Sequence, residues 1–190
     1  ALAALREMDD NPPVLEDLRE IAARLGADVA FCLTGGTALG RGRGDDLTRL
    51  APSPECWVCL AKPEFAVSTA EAYGMLTPGD FTSGAKAVEV AERIGAAEPV
   101  AEWAHLVHNS FAAPLMRRWP VFGELRTRLR EQGALAAEVS GSGSVVLGPV
   151  GDEQGARVAA EEMTRDGMWA RAAMTATRGW EATDRDGMSL

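Results

Sequence analysis

Leu135-Ala136-Ala137-Glu138-Val139-Ser140-Gly141-Ser142-Gly143-Ser144-Val145-Val146-Leu147 is the stretch on which the reading of this chain turns. Two short apolar runs, Leu135–Val139 and Val145–Leu147, flank five residues made only of serine and glycine. Glycine admits left-handed backbone and close approach, and serine hydroxyls stabilise turns, so the pattern predicts two short strands joined by a tight turn. Successive backbone N–H groups in such a turn can be aimed at a phosphate. Composition alone is equally compatible with a plain flexible hairpin.

Downstream, Glu153 to Thr164 has the spacing of an amphipathic helix, and Trp169 to Thr177 reads as a last strand. Upstream, Trp57 to Ala61 is an apolar strand that stops at Pro63. Between them lies a helical region. Ser68 with Glu71 has the pattern of a capping box opening a helix to about Leu76, and Ser83 is placed to cap another through Val88, Val90, Ala91 and Ile94. Three more helices are expected, at Val100–His108, Ser110–Arg118 and Pro120–Gln132, the last closed by Gly133. The order strand, helices, two strands, helix, strand predicts an α+β fold, an antiparallel sheet with helices on one face.

Ahead of this unit, Ala51-Pro52-Ser53-Pro54 breaks the pattern and marks a domain boundary. In the N-terminal part, Asn11 suits an N-cap and Pro12 and Pro13 a first turn. Val14, Leu15, Leu18, Ile21, Ala22 and Leu25 then repeat at helical spacing until Gly26. Asp28 is thus expected just past a helix end. The run Val29–Leu33, the Gly35-Gly36 turn and the glycine- and arginine-rich Gly40–Gly44 read as a strand pair. The organisation expected is residues 1–52, residues 53–180 and a tail at 181–190, with no internal repeats.

The 190 residues, 46% hydrophobic and 25% charged, are enough for one domain or one domain plus a fragment. A net charge of −9 and a pI near 4.8 argue against a nucleic-acid partner, which demands a basic footprint. The Gly40–Gly44 tract is too short to change that. Three cysteines, no charged start followed by an apolar core and no long apolar span lead us to expect a reducing cytoplasm and no membrane partner.

Several residues carry chemistry in principle. Asp28 can take a proton from a hydroxyl, or can simply cap the next turn. Cys56-Trp57-Val58-Cys59 has redox spacing but sits at the start of a strand rather than a helix, which favours buried structural thiols. His105 and His108 lie three apart on an expected helix without a Cys or acidic partner to complete a metal site, so no metal ligands are assigned.

Taken together, Leu25-Gly26-Ala27-Asp28-Val29, Gly35-Gly36-Thr37-Ala38-Leu39-Gly40-Arg41-Gly42-Arg43-Gly44, Trp57-Val58-Cys59-Leu60-Ala61-Lys62-Pro63 and Ser140-Gly141-Ser142-Gly143-Ser144 resemble the diphosphocytidyl-methylerythritol kinase branch of the GHMP superfamily of small-molecule kinases. The resemblance covers about residues 15 to 178. It implies a C-terminal GHMP-kinase-like antiparallel sheet plus a remnant of the N-terminal domain. It implies phosphorylation of 4-diphosphocytidyl-2-C-methyl-D-erythritol in the non-mevalonate isoprenoid pathway, with ATP and Mg2+ as cofactors and a small molecule as partner.

By the same resemblance, Asp28 would be the catalytic base. Ser140, Gly141, Ser142 and Gly143 would lie beside the nucleotide phosphates. Lys62, Pro63, Phe65, Ser68 and Thr69, with Tyr73 beyond, would line the cytidine side; for Phe65 core packing is an equal expectation. Ala30 stands where the family usually has proline, and Ser110 follows His108-Asn109 where the family often has an acid. The family's Gly-Leu-Gly-Gly-Gly-Ser-Ser loop and catalytic lysine have no counterpart in the 190 residues, so an incomplete form, inactive alone, is expected. Other classes remain open at this point: a non-catalytic substrate-binding or interaction remnant, or a mevalonate- or homoserine-type kinase. An exposed edge would also favour a homodimer or other self-association.

Overall fold

A computed structural model of the chain describes residues 2, 6, 8, 9 and 11–176. The expected end of the last strand at Thr177 and the tail at 181–190 lie outside these residues. Contacts divide the chain into two compact units: Pro54–Thr175, and the described residues up to Ser53 together with Ala176.

In the first unit, α1 (Leu15–Leu25) is followed directly by α2 (Ala27–Thr34). Gly26 is the joint. Its N–H closes α1 on the Ala22 carbonyl, while its own carbonyl accepts the N–H groups of Val29 and Ala30 in the first turn of α2. The structure here corrects two expectations. Val29–Leu33 is helical rather than a strand, because Ala30 and Leu33, three apart, pack against Leu18 and Ala22 of α1. Asn11 is not the cap either: Val14 holds extended backbone before the helix and no side chain caps it, so both prolines precede the first turn. The strand pair lies further on, as β1 (Ala38–Arg41) against β2 (Asp46–Arg49), in register from Ala38–Arg49 to Arg41–Asp46.

The second unit is built on a four-stranded antiparallel sheet, ordered β4 (Glu138–Val139), β5 (Val146–Val150), β3 (Trp57–Lys62), β6 (Trp169–Met174). The helices between β3 and β4 are α3 (Thr69–Gly74), α4 (Ala85–Gly95), α5 (Val100–Trp103), α6 (Ala112–Arg118) and α7 (Val121–Glu131), and α8 (Glu153–Arg165) connects β5 to β6. Apart from the extra helices this is the split β-α-β order β-α-β-β-α-β.

The alternation of strand residues decides which face is covered. Cys59, Ala61, Val146, Val150 and Ala170 are buried together beneath Phe122, Leu125 and Leu129 of α7 and Ala156, Ala159, Ala160 and Met163 of α8. Each large side chain buried there contributes roughly 1.5–3 kcal/mol relative to exposure. Small residues let α8 approach, and Asp152 caps it by accepting the Gly155 N–H at 2.8 Å. Gly148 is required by packing: a Cβ there would lie 2.8 Å from Ala134 Cβ and 3.0 Å from the Ala136 carbonyl oxygen.

Other local expectations are corrected. Ser68 makes no cap hydrogen bond and α3 ends at Gly74; the reciprocal box forms instead at Thr77 and Asp80, on the 3-10 turn Pro78–Asp80. The segment expected as one helix from Val100 to His108 is α5 followed by a 3-10 turn, Ala104–Leu106. Trp103 and Ala104 there turn into a separate apolar cluster with Ile94, Val100 and Ala136, so His105 and His108 do not share a helix face. Among the described residues no group of three His, Cys, Asp or Glu could hold a metal ion, and no helix is long and apolar enough to cross a membrane. Cys59 is fully buried, which pushes its thiol up to about 11, and burial also raises Cys56.

Candidate phosphate and substrate site

The Ser140–Ser144 loop joins β4 to β5 and is fastened by hydrogen bonds within the turn and from Asn109. Ser140 donates its N–H to the Val145 carbonyl at 2.8 Å, and Gly143 donates to the Ser140 carbonyl at 2.9 Å. Gly143 has φ +87° and a Cβ there would meet Leu115 Cδ1 at 3.3 Å, so backbone and packing both demand glycine. The N–H groups of Gly141 and Ser142 have no partner among the described residues, although they are consecutive donors on one turn. Such a pair is suited to an anion.

The strand leading into the loop is fastened by a half-buried ion pair. Arg126 donates to Glu138 Oε2 at 3.0 Å and to the Ala137 carbonyl at 3.0 Å, while Glu138 Oε1 accepts the Val139 N–H at 2.9 Å. Asn109 reaches the loop from the other side. Its Nδ2 donates to the carbonyls of Val139 at 2.8 Å and Gly141 at 2.7 Å, and its Oδ1 accepts the Phe111 N–H at 2.9 Å. Sequence reasoning gave Asn109 no role. The available signal was an Asx-type residue immediately before a helical run.

Of the residues expected on the cytidine side, one touches the loop. Thr69 Oγ1 lies 3.2 Å from Ser142 Oγ, an exposed hydroxyl pair between the start of α3 and the tip of the turn. One helical turn on, the exposed Tyr73 ring meets Phe111 edge-on with centroids 4.9 Å apart. Thr69, Tyr73, Phe111, Asn109 and Ser142 thus form one connected surface.

The others sit differently. Phe65 packs in an aromatic cluster, 5.7 Å from Trp119 and 6.2 Å from Phe122, with more than a third of its surface still open. Pro63 is buried and Ser68 exposed. Lys62, at the end of β3, pairs across the sheet with Trp169, and its Nζ lies 5.8 Å from that ring centroid, within cation–π range. The segment after α3 is tied to α6 through Asp80, whose carboxylate accepts Thr77 N–H and Oγ1–H and pairs with Arg117 at 3.3 Å. Those bonds, the Thr77 hydroxyl first, hold the Asp80 carboxyl below its ordinary range.

Asp28 belongs to the first unit. It lies in the first turn of α2, exposed, rather than beyond a helix end. The β1–β2 turn is its neighbour: a Cβ on Gly44 would contact Ala27 Cβ at 3.6 Å. Gly42 and Gly44 take φ of +62° and +91°, and a Cβ on Gly40 would lie 3.3 Å from Gly44 Cα, so the glycine spacing is what folds this turn tightly. Arg41 and Arg43 on it are engaged by Thr48 and Asp45.

Residues 86–167, which run from α4 through the serine/glycine loop to the end of α8, match the family described as GHMP kinases C terminal. The chain is also a relative of 4-diphosphocytidyl-2-C-methyl-D-erythritol kinases. It is 39% identical over 165 residues to the kinase of that name from Pelotomaculum thermopropionicum, covering 87% of this chain and 57% of that protein. A crystal structure of 4-(cytidine 5'-diphospho)-2C-methyl-D-erythritol kinase superposes with a TM-score of 0.70 at 33% identity, over 83% of this chain and 56% of that one. A homoserine kinase from Cytophaga hutchinsonii superposes with a TM-score of 0.71 at 18% identity, over 92% and 62%, a likeness of fold alone. The chain spans somewhat more than half the length of these relatives.

Proposed function

We propose that this chain is part of an ATP-dependent kinase that phosphorylates 4-diphosphocytidyl-2-C-methyl-D-erythritol. The observation that carries the reading is the Ser140–Ser144 loop, with the unpartnered N–H groups of Gly141 and Ser142, in a chain 39% identical to a kinase of that name. ATP supplies a transferable γ-phosphoryl group, with Mg2+ carried on its phosphates. Ser140, Gly141, Ser142 and Gly143 bind on the phosphate side, the free N–H groups donating to phosphate oxygens. Asp28 accepts or orients the proton of the attacking hydroxyl; its exposed carboxylate is open to a substrate.

On the substrate side, Thr69 and Tyr73 present a hydroxyl and an exposed ring beside the loop, fitted to a hydroxylated, base-bearing ligand. Phe65 offers its remaining open ring face, and Lys62, Pro63 and Ser68 shape the β3 end of the same stretch. Phosphoryl transfer depends chiefly on positioning and charge compensation, so one base is only part of the machinery.

The test is a coupled kinase assay on the polypeptide as its gene encodes it, offering the diphosphocytidyl alcohol, homoserine and mevalonate. Turnover is expected with the first alone. In the same assay Asp28→Asn should lower kcat by about 10²–10⁴-fold with the ATP KM little changed. Near-normal turnover in that variant overturns the role of Asp28. Binding of the diphosphocytidyl alcohol without any phosphorylation places the chain with non-catalytic remnants instead.

A further inference from the structure

We propose that Asn109 is the positioning residue that turns the Ser142 N–H outward and so sets the anion-binding geometry of the loop. The proposal rests on the reading of Ser140–Ser144 as the phosphate-side element, and goes beyond it by naming what builds that element.

The argument begins with the peptide plane. Across a trans peptide the C=O and the following N–H point in opposite directions. Asn109 Nδ2 takes the Gly141 carbonyl at 2.7 Å, so the N–H of Ser142, on the same peptide, is aimed away from Asn109. The second bond of Nδ2, to Val139 at 2.8 Å, fixes the Val139–Ser140 peptide in the same sense, and the Ser140 N–H on its far side goes to Val145. One carboxamide nitrogen therefore holds two carbonyls on the entry side of the turn. What remains facing outward is the unpaired pair of donors on Gly141 and Ser142.

Asn109 is itself fixed. Its Oδ1 accepts the Phe111 N–H at 2.9 Å and its carbonyl accepts the Ala112 N–H at 3.0 Å, which tie it to the start of α6. Leu115 on α6 supports Gly143 from below. The helix and the loop are thus registered by one side chain that is both donor and acceptor. No other common side chain of that length offers the two functions in one plane: aspartate lacks the donor, and serine is too short to span two carbonyls.

Two variants separate the loop from the helix start. Asn109→Asp keeps the acceptor for Phe111 but sets a carboxylate oxygen against two carbonyl oxygens. Asn109→Ser keeps a turn-forming hydroxyl for the Phe111 N–H and removes the donor. The readout is an amide NMR titration of the 190-residue chain with inorganic pyrophosphate, which requires no turnover. In the unsubstituted chain the Gly141 and Ser142 amides are expected to shift saturably. In both variants the dissociation constant should rise at least tenfold while amides of the sheet keep their positions. The Asn109→Asp loss should also diminish as the pH is lowered, because a protonated carboxyl regains a donor for the loop.

Unchanged affinity in both variants, with Gly141 and Ser142 still responding, overturns the role of Asn109 and leaves the loop reading standing. No response of the two amides in the unsubstituted chain overturns the loop reading, and this proposal with it. Loss of affinity in Asn109→Asp that is identical at every pH, with sheet amides displaced, assigns Asn109 to the fold and overturns the proposal as well.

Discussion

The two units of this chain solve the problem of burial very differently. In Pro54–Thr175, seventeen buried residues make one continuous cluster between sheet and helices, with Phe122, Leu115, Leu125, Leu129 and Met163 among the fully buried. Among the described residues of the first unit the buried cluster is Leu18, Ala22, Ala30 and Leu33, two of them alanines, while Val14, Ile21, Leu25 and Phe31 are exposed. Buried apolar area is the main term that offsets conformational entropy, so the second unit carries most of the described stability. The chemistry divides along the same line. A rigid, over-determined loop lies in the unit with the large core, and the exposed Asp28 lies in the unit with the small one.

The comparison is broken most directly by truncating each core. Phe122→Ala is expected to lower stability by about 3–5 kcal/mol in urea unfolding followed by far-UV circular dichroism. Leu33→Ala in the first unit should cost about 2 kcal/mol, the low end for such a change, because the cluster described around it is small and half alanine. Equal losses would show that the first unit is as well packed as the second.

A smaller effect is expected where packing and backbone coincide. Gly143→Ala forces a side chain into left-handed backbone 3.3 Å from Leu115, at a cost of about 1–3 kcal/mol by the same unfolding measurement. It should also displace the loop, visible as shifted amides of Gly141 and Ser142. Stability within experimental error of the parent would show that neither constraint is real.

The smallest effect concerns pH. Asp80 is held below its ordinary carboxylate range in the native state, so its charged form is favoured by folding. Its contribution is therefore present above the unfolded carboxylate value and lost as the pH falls through the lowered native one. Acid unfolding of Asp80→Asn should accordingly be less pH-dependent below about pH 4 than that of the parent chain. An unaltered acid profile would show that the Thr77–Asp80–Arg117 contacts do not persist in solution.

The sequence was most legible where periodicity and length agreed. α8, α7 and β3 fall within a residue or two of their expected bounds, and two strands flank the serine/glycine turn, although β4 keeps only Glu138–Val139 of the expected Leu135–Val139 and β5 runs on to Val150. It was least legible in short apolar runs. Val29–Leu33 fits a strand by composition, and only its contact with Leu18 and Ala22 makes it helical. Capping failed similarly: Ser68 had the right pattern at the right spacing, yet the reciprocal hydrogen bonds formed at Thr77 and Asp80.

By itself, then, the sequence determined the order of the elements in the second unit and the conformational freedom of the Ser140–Ser144 turn. Hydrophobic period and the backbone preferences of glycine and serine are local properties. Tertiary structure alone decided that Phe65 packs on Trp119 and Phe122, that His105 and His108 part company, and that Asn109 grips carbonyls 30 and 32 residues away. A hydrogen bond across that separation is chosen by where the sheet and α6 bring the chain together, and nothing in the residues between records it.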